Sequence, residues 1–143
     1  MVKLVRLATD AATRGAAPTV LLVDDQPEIL KTLTRFLNAK GYAVEIATTV
    51  GEAIPLLRQR RINAVILDVR MAPQSGLDLL PIIREDETLR EIPAVVLTGS
   101  VLTKEEQAIV ARYKAFVFYK PKSYQALTDY LDRVTRNARS SGH

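Results

Sequence analysis

Four uninterrupted apolar runs punctuate the chain, and each stops on a polar side chain capable of chemistry. Val65-Ile66-Leu67 meets Asp68, and Val20-Leu21-Leu22-Val23 meets Asp24 and Asp25. Ala94-Val95-Val96-Leu97 meets Thr98, and Phe116-Val117-Phe118-Tyr119 meets Lys120. Runs without polar alternation read as strands covered on both faces. A charge is costly inside a core, so the carboxylates belong at C-terminal strand ends.

Helical spacing fills the intervals. Pro27 suits the first turn of a helix carrying Ile29, Leu30, Leu33, Phe36 and Leu37, with Asp25 as its expected cap and Gly41 as its stop. Residues 42–47 read as the second strand. Thr48 or Thr49 caps the next helix, which turns Ala53, Ile54, Leu56 and Leu57 inward and is expected to kink at Pro55. It closes on Arg58, Arg60 and Arg61, which favour a helix's negative end. Leu77, Leu80, Ile82 and Ile83 mark a third helix, complicated by Pro81. Thr103 and Glu106 have capping-box spacing for a fourth, and Ser123 is expected to cap a fifth on Leu127, Leu131 and Val134.

The order is βα repeated five times, which predicts an α/β fold with a parallel sheet and helices on both faces. Right-handed crossovers and strand order 2-1-3-4-5, a doubly wound, flavodoxin-like three-layer α/β/α arrangement, set strand one beside strand three. Asp25 and Asp68 then meet at the switch point of the sheet. Residues 1–18, rich in Ala and Thr, read as a flexible extension; residues 19–136 form one domain, and residues 137–143 a small polar tail.

Composition narrows the chemistry. The chain of 143 residues has no cysteine, and its single histidine is the last residue, which excludes thiolate chemistry and argues against a zinc or histidine-centred site. No apolar run reaches membrane-spanning length and the N-terminus makes a poor signal peptide, so a cytoplasmic location is expected. The net charge of +4 is carried by Lys3, Arg6, Arg14, Arg133, Arg136 and Arg139 near the ends and by the Arg58–Arg61 cluster. No zinc finger or aromatic stacking platform accompanies these residues, which argues against a nucleic-acid partner.

Three converging carboxylates repel one another unless a cation shares the space. Oxygen-only ligands point to Mg²⁺, with Mn²⁺ as a stand-in. Lys120 and Thr98 can donate to a carboxylate or a phosphoryl oxygen. A nucleophilic carboxylate, a metal, an amine and a hydroxyl make up a phosphoryl-transfer kit.

These residues resemble the receiver domain of two-component response regulators over about residues 19–135. Leu22-Val23-Asp24-Asp25-Gln26-Pro27 is similar to its acidic start. Leu67-Asp68, with Met71 three residues on and Gly76 eight on, is similar to its phosphorylation loop. Thr98-Gly99 and Lys120-Pro121 are similar to its hydroxyl and lysine pairs, and the intervals of 30 and 22 residues between Asp68, Thr98 and Lys120 suit it.

The resemblance implies that Asp68 is the phospho-acceptor, served by Thr98 and Lys120. It implies that Asp24, Asp25, Asp68 and the main-chain carbonyl of Arg70 hold Mg²⁺, Asp25 being the direct ligand of the first two. The chain is then a phospho-acceptor with self-catalysed transfer and autodephosphorylation. A sensor histidine kinase or phosphotransfer protein is its donor, and a downstream protein reads the helix 4–strand 5–helix 5 face. The Lys120–Pro121 bond is commonly cis in this family.

Two departures stand out. Ala72 occupies the position where the family has a proline, with Pro73 one residue later, so a different loop path is expected. Val117 occupies the switch position, where the family prefers Tyr or Phe, and the flanking Phe116 and Phe118 should point to the opposite face. A receiver-fold interaction module whose output ignores phosphate is the competing reading, and a small phosphatase using Asp68 is a third. No output module follows the last helix, so the sequence reads as a stand-alone receiver or a piece of a longer protein.

Overall fold

The computed structural model describes residues 17–120 and 124–141, with side chains as far as residue 135. Five parallel strands are ordered β2-β1-β3-β4-β5: β1 Thr19–Val23, β2 Ala43–Ala47, β3 Ala64–Leu67, β4 Ala94–Thr98 and β5 Phe116–Tyr119. The helices between and after them are α1 Pro27–Ala39, α2 Val50–Gln59, α3 Leu79–Arg84, α4 Lys104–Arg112 and α5 Tyr124–Ser141. This is the expected topology, with β1 beside β3 at the point where the strand order reverses.

Alternation along each strand sends its residues to two separate cores. Leu21, Val23, Val65, Leu67 and Val96 pack with Ala53 and Leu57 of α2, Leu79, Leu80 and Ile83 of α3 and Val110 of α4. Val20, Leu22, Ile66, Val95 and Leu97 pack on the other face with Leu30, Leu33 and Leu37 of α1 and Leu127 and Leu131 of α5. The central strands β1, β3 and β4 are therefore buried almost throughout, while the edge strand β5 is only partly covered.

The helix starts differ from expectation at one place. The N-cap of α1 is Gln26, whose side chain makes no capping bond; Asp25 does not cap the helix. The neighbouring Asp24 carboxylate instead accepts from the Gln26 amide at 2.9 Å. Pro27 at the helix start lacks a donor that would need capping, which lowers the demand for a cap.

Thr49 caps α2, and the helix continues through Pro55 to Gln59. Pro81 does split the third segment: a 3₁₀ turn over Gly76–Asp78 leads into α3, where Pro81 falls in the first turn and its missing N–H has no helical partner to lose. The capping box of Thr103 and Glu106 on α4 is present with both bonds. Helix α5 continues through Ser141, past Asn137, where the sequence pattern ended it. The expected extension up to residue 16, the Ser123 cap and the Lys120–Pro121 bond lie outside the described residues. The loop after β3 carries a cis Ala72–Pro73 peptide.

Arg84, the last residue of α3, ties the far pole of the sheet together. Its guanidinium donates to the carbonyls of Tyr113 at 2.7 Å, Arg90 at 2.9 Å and Ile92 at 2.6 Å, and so joins the approach to β4 to the approach to β5. Arg84→Ala leaves those acceptors without their charged donor and is expected to cost about 2 kcal/mol, read as a lower urea midpoint at unchanged slope.

Candidate functional site

Register delivers the acids to one place. Val23 of β1 pairs with Leu67 of β3, and the Asp68 amide donates to the Val23 carbonyl at 2.9 Å, so Asp24 and Asp68 leave adjacent strands side by side. On the other side Leu67 pairs with Val96, and Thr98 pairs with Tyr119, which brings Lys120 in next. The Lys120 amide donates to the Thr98 carbonyl at 2.7 Å, which fixes the start of the lysine's path across the strand ends.

Asp24, Asp25 and Asp68 each offer a carboxylate oxygen, and these lie within 4.8 Å of one another. Asp24 and Asp68 are buried, at 6% and 5% exposure, and Asp25 is open to solvent. Lys120 Nζ stands 3.6 Å from Asp24 Oδ2 and 3.7 Å from Asp68 Oδ1. One amine against three carboxylates leaves two negative charges unbalanced. Burial pushes the Asp68 carboxyl above its ordinary range; Lys120 opposes that shift, and Asp24 and Asp25 add to it.

The donor set fits a small hard cation. Asp24, Asp25 and Asp68 would hold such an ion, which would supply positive charge among their carboxylates.

Thr98 is fully buried, and its hydroxyl is turned to its own loop: it donates to the Ser100 carbonyl and accepts from the Ser100 amide, both at 3.2 Å. The Thr98 hydroxyl is thus engaged with its own loop. Val117 faces the core that holds Leu102 and Val110, while Phe118 packs on the opposite face with Tyr130, as strand alternation requires. Phe116 stacks on Tyr130 with ring centroids 4.4 Å apart.

Arg70 enters the sequence reading through its main-chain carbonyl, and its side chain folds onto the start of α4. Its guanidinium forms a two-pronged ion pair with Glu106, donates to the Val101 carbonyl at 3.1 Å, and donates through Nε to the Ser100 hydroxyl at 3.1 Å. Both partners had local signals, since Arg70 follows Asp68 by two residues and Glu106 belongs to a capping box. Nothing along the chain links positions 36 residues apart.

Gly76 has a similar hidden role. A Cβ there would stand 1.8 Å from the Asp68 carbonyl oxygen, so only glycine lets the 3₁₀ turn pass behind Asp68.

The family model described as response regulator receiver domain matches residues 20–132. The acid tolerance regulatory protein ActR of Rhizobium meliloti is 38% identical over 94 residues, covering 64% of this chain and 46% of that protein. The chain thus spans less than half the length of that curated relative. Among solved structures, a response regulator receiver protein from Pseudomonas putida superposes with a TM-score of 0.74 at 33% identity, over 82% of this chain and 98% of that one. The Vibrio cholerae chemotaxis protein CheY4 superposes with a TM-score of 0.75 at 28% identity, over 83% and 99%.

Proposed function

The chain belongs to the response regulator receiver domain family, and from that premise we propose that Asp68 accepts a phosphoryl group from a sensor histidine kinase or phosphotransfer protein. The observation that carries this is the convergence of Asp24, Asp25 and Asp68 with Lys120 reaching between two of them. An Asp68 oxygen forms the new O–P bond as the donor's N–P bond breaks and its electron pair stays on the imidazole. Asp24, Asp25, Asp68 and the Arg70 main-chain carbonyl are the proposed holders of Mg²⁺, which supplies positive charge against the carboxylates and the phosphoryl oxygens. Lys120 is placed to donate to one phosphoryl oxygen. Thr98 reaches another by giving up the Ser100 carbonyl.

The proposed output face combines α4, β5 and α5. Phe116 and Tyr119 of β5 are exposed there at 43% and 45%, aromatic surface of the kind partners bury. No helix among the described residues is long and apolar enough to cross a membrane, in keeping with a protein that meets its partners in the cytoplasm. An output that ignores phosphate is the weaker reading, because the acid, hydroxyl and lysine set is complete.

Incubation with acetyl phosphate and Mg²⁺ is expected to add one phosphoryl mass, localised to the peptide holding Asp68. No added mass under conditions that label a known receiver would reject the proposal. Asp25→Asn removes the most accessible ligand and is expected to weaken Mg²⁺ affinity at least about tenfold, the effect of one lost charge-assisted contact. Calorimetric titrations giving equal affinities would reject the metal assignment.

A further inference from the structure

Arg70 and Glu106 join the acceptor loop to the start of α4. Arg70 lies two residues after Asp68, yet its four side-chain hydrogen bonds run to the loop after β4 and the first turn of α4. Glu106 serves two masters: the oxygen that accepts from the Thr103 amide at 2.9 Å also accepts from Arg70 at 3.0 Å. The pair is partly exposed, with side-chain exposures of 46% and 17%, and pairs in such a setting are weak enough to exchange.

We propose that Glu106 is a positioning residue for the phosphoryl site: it holds Arg70 folded on α4, and a phosphoryl group on Asp68 draws Arg70 away from it. This rests on the reading of Asp68 as the acceptor.

The argument is a competition for one guanidinium. Glu106 offers a single negative charge and two oxygens. A phosphoryl group on Asp68 offers more charge and three oxygens, and guanidinium pairs with phosphate in the same forked geometry. When Arg70 turns to it, the Ser100 hydroxyl and the Val101 carbonyl lose their donor together. Thr98 gives up the Ser100 carbonyl in the same event if it donates to the phosphoryl group. Residues 99–102 are thus released from both sides at once, while Glu106 keeps its capping bonds and α4 stays intact.

This route does not pass through position 117. Val117 is compact and stiff about χ1, and cannot sweep the volume that an aromatic ring would. Arg70 links the acceptor to α4 without it.

Glu106→Gln separates positioning from folding, because Gln preserves a capping box while removing the charge that holds Arg70. Protein phosphorylated with acetyl phosphate and Mg²⁺ is followed as water attacks phosphorus and releases inorganic phosphate and the Asp68 carboxylate. With Arg70 freed to cover the phosphoryl group, E106Q is expected to lengthen its lifetime by about twofold to fivefold, the factor matching an exposed pair of ordinary strength. R70A should shorten it, and E106Q in the R70A background should add nothing. Amide shifts of residues 99–103 in unphosphorylated E106Q should move toward those of beryllofluoride-bound wild type.

An E106Q lifetime equal to that of wild type, or an equal E106Q effect with and without Arg70, overturns the proposal while leaving Asp68 as the acceptor. Unmoved shifts of residues 99–103 when beryllofluoride binds overturn it too. Failure of the wild type to be labelled at all removes the acceptor reading and this proposal with it.

Discussion

Asp68→Asn is expected to abolish labelling by acetyl phosphate and, in metal-free buffer, to make the protein more stable at neutral pH. The first effect follows from loss of the proposed nucleophile, the carboxylate at the end of β3 that lies beside Asp24, Asp25 and Lys120. The second follows from charge. Burial is the largest influence on Asp68 and disfavours its ionised form; Lys120 counters it, and Asp24 and Asp25 reinforce it.

The sign can be followed through the linkage relation. A carboxyl whose folded pKa lies above its unfolded value contributes stability that is fully present below the unfolded value. That contribution is lost as pH rises through the folded value. Above the unfolded value the native wild type therefore carries a cost for crowded Asp68 that the asparagine does not. Urea midpoints for D68N should exceed wild type at pH 7, and the gap should shrink as the buffer is brought down to the ordinary carboxylate range. A lower D68N midpoint at pH 7 would mean that the Lys120 pairing outweighs burial and repulsion together.

Gly76→Ala is the substitution expected to do most damage per atom added. Its Cβ would meet the Asp68 carbonyl oxygen at 1.8 Å, the Asp68 carbonyl carbon at 3.0 Å and Leu67 Cδ1 at 3.4 Å. The first two are backbone, so no rotamer change relieves them. Either the 3₁₀ turn lifts off β3 or the backbone of Asp68 is displaced. A cost of about 3 kcal/mol is expected, the upper range for overpacking a well-filled interior. A displacement of about 1 Å at Asp68 would also slow phosphorylation on the order of a hundredfold. Gly51→Ala is the matched control: in α2 the new Cβ meets nothing closer than Thr49 Oγ1 at 3.8 Å. That variant should gain up to about 1 kcal/mol from helix propensity. Equal urea midpoints and labelling rates for G76A and wild type would show that the turn absorbs a side chain freely.

The sequence by itself determined the five βα units, the strand order and the polar residue at each strand end. These are written in short-range patterns: apolar runs for buried strands, spacing of three and four for helix faces, and Thr103 with Glu106 for a helix start. Right-handed crossovers then leave so few topologies that convergence of the acids was legible too. Local pattern failed where two local solutions compete. Asp25 is chemically a good cap, but the adjacent Asp24 took the Gln26 amide, and Pro27 left little for a cap to do.

Tertiary structure alone decided the rest. A long flexible side chain can reach many acceptors, and only the packed fold selects Glu106, Ser100 and Val101 for Arg70 or three separate carbonyls for Arg84. The need for glycine at position 76 arises from the carbonyl of a residue eight positions earlier, and the Thr98 hydroxyl faces Ser100 because its loop folds back. Such contacts leave no periodic trace, since they depend on where separate segments meet in space, whereas strands and helices repeat the same contact every two to four residues.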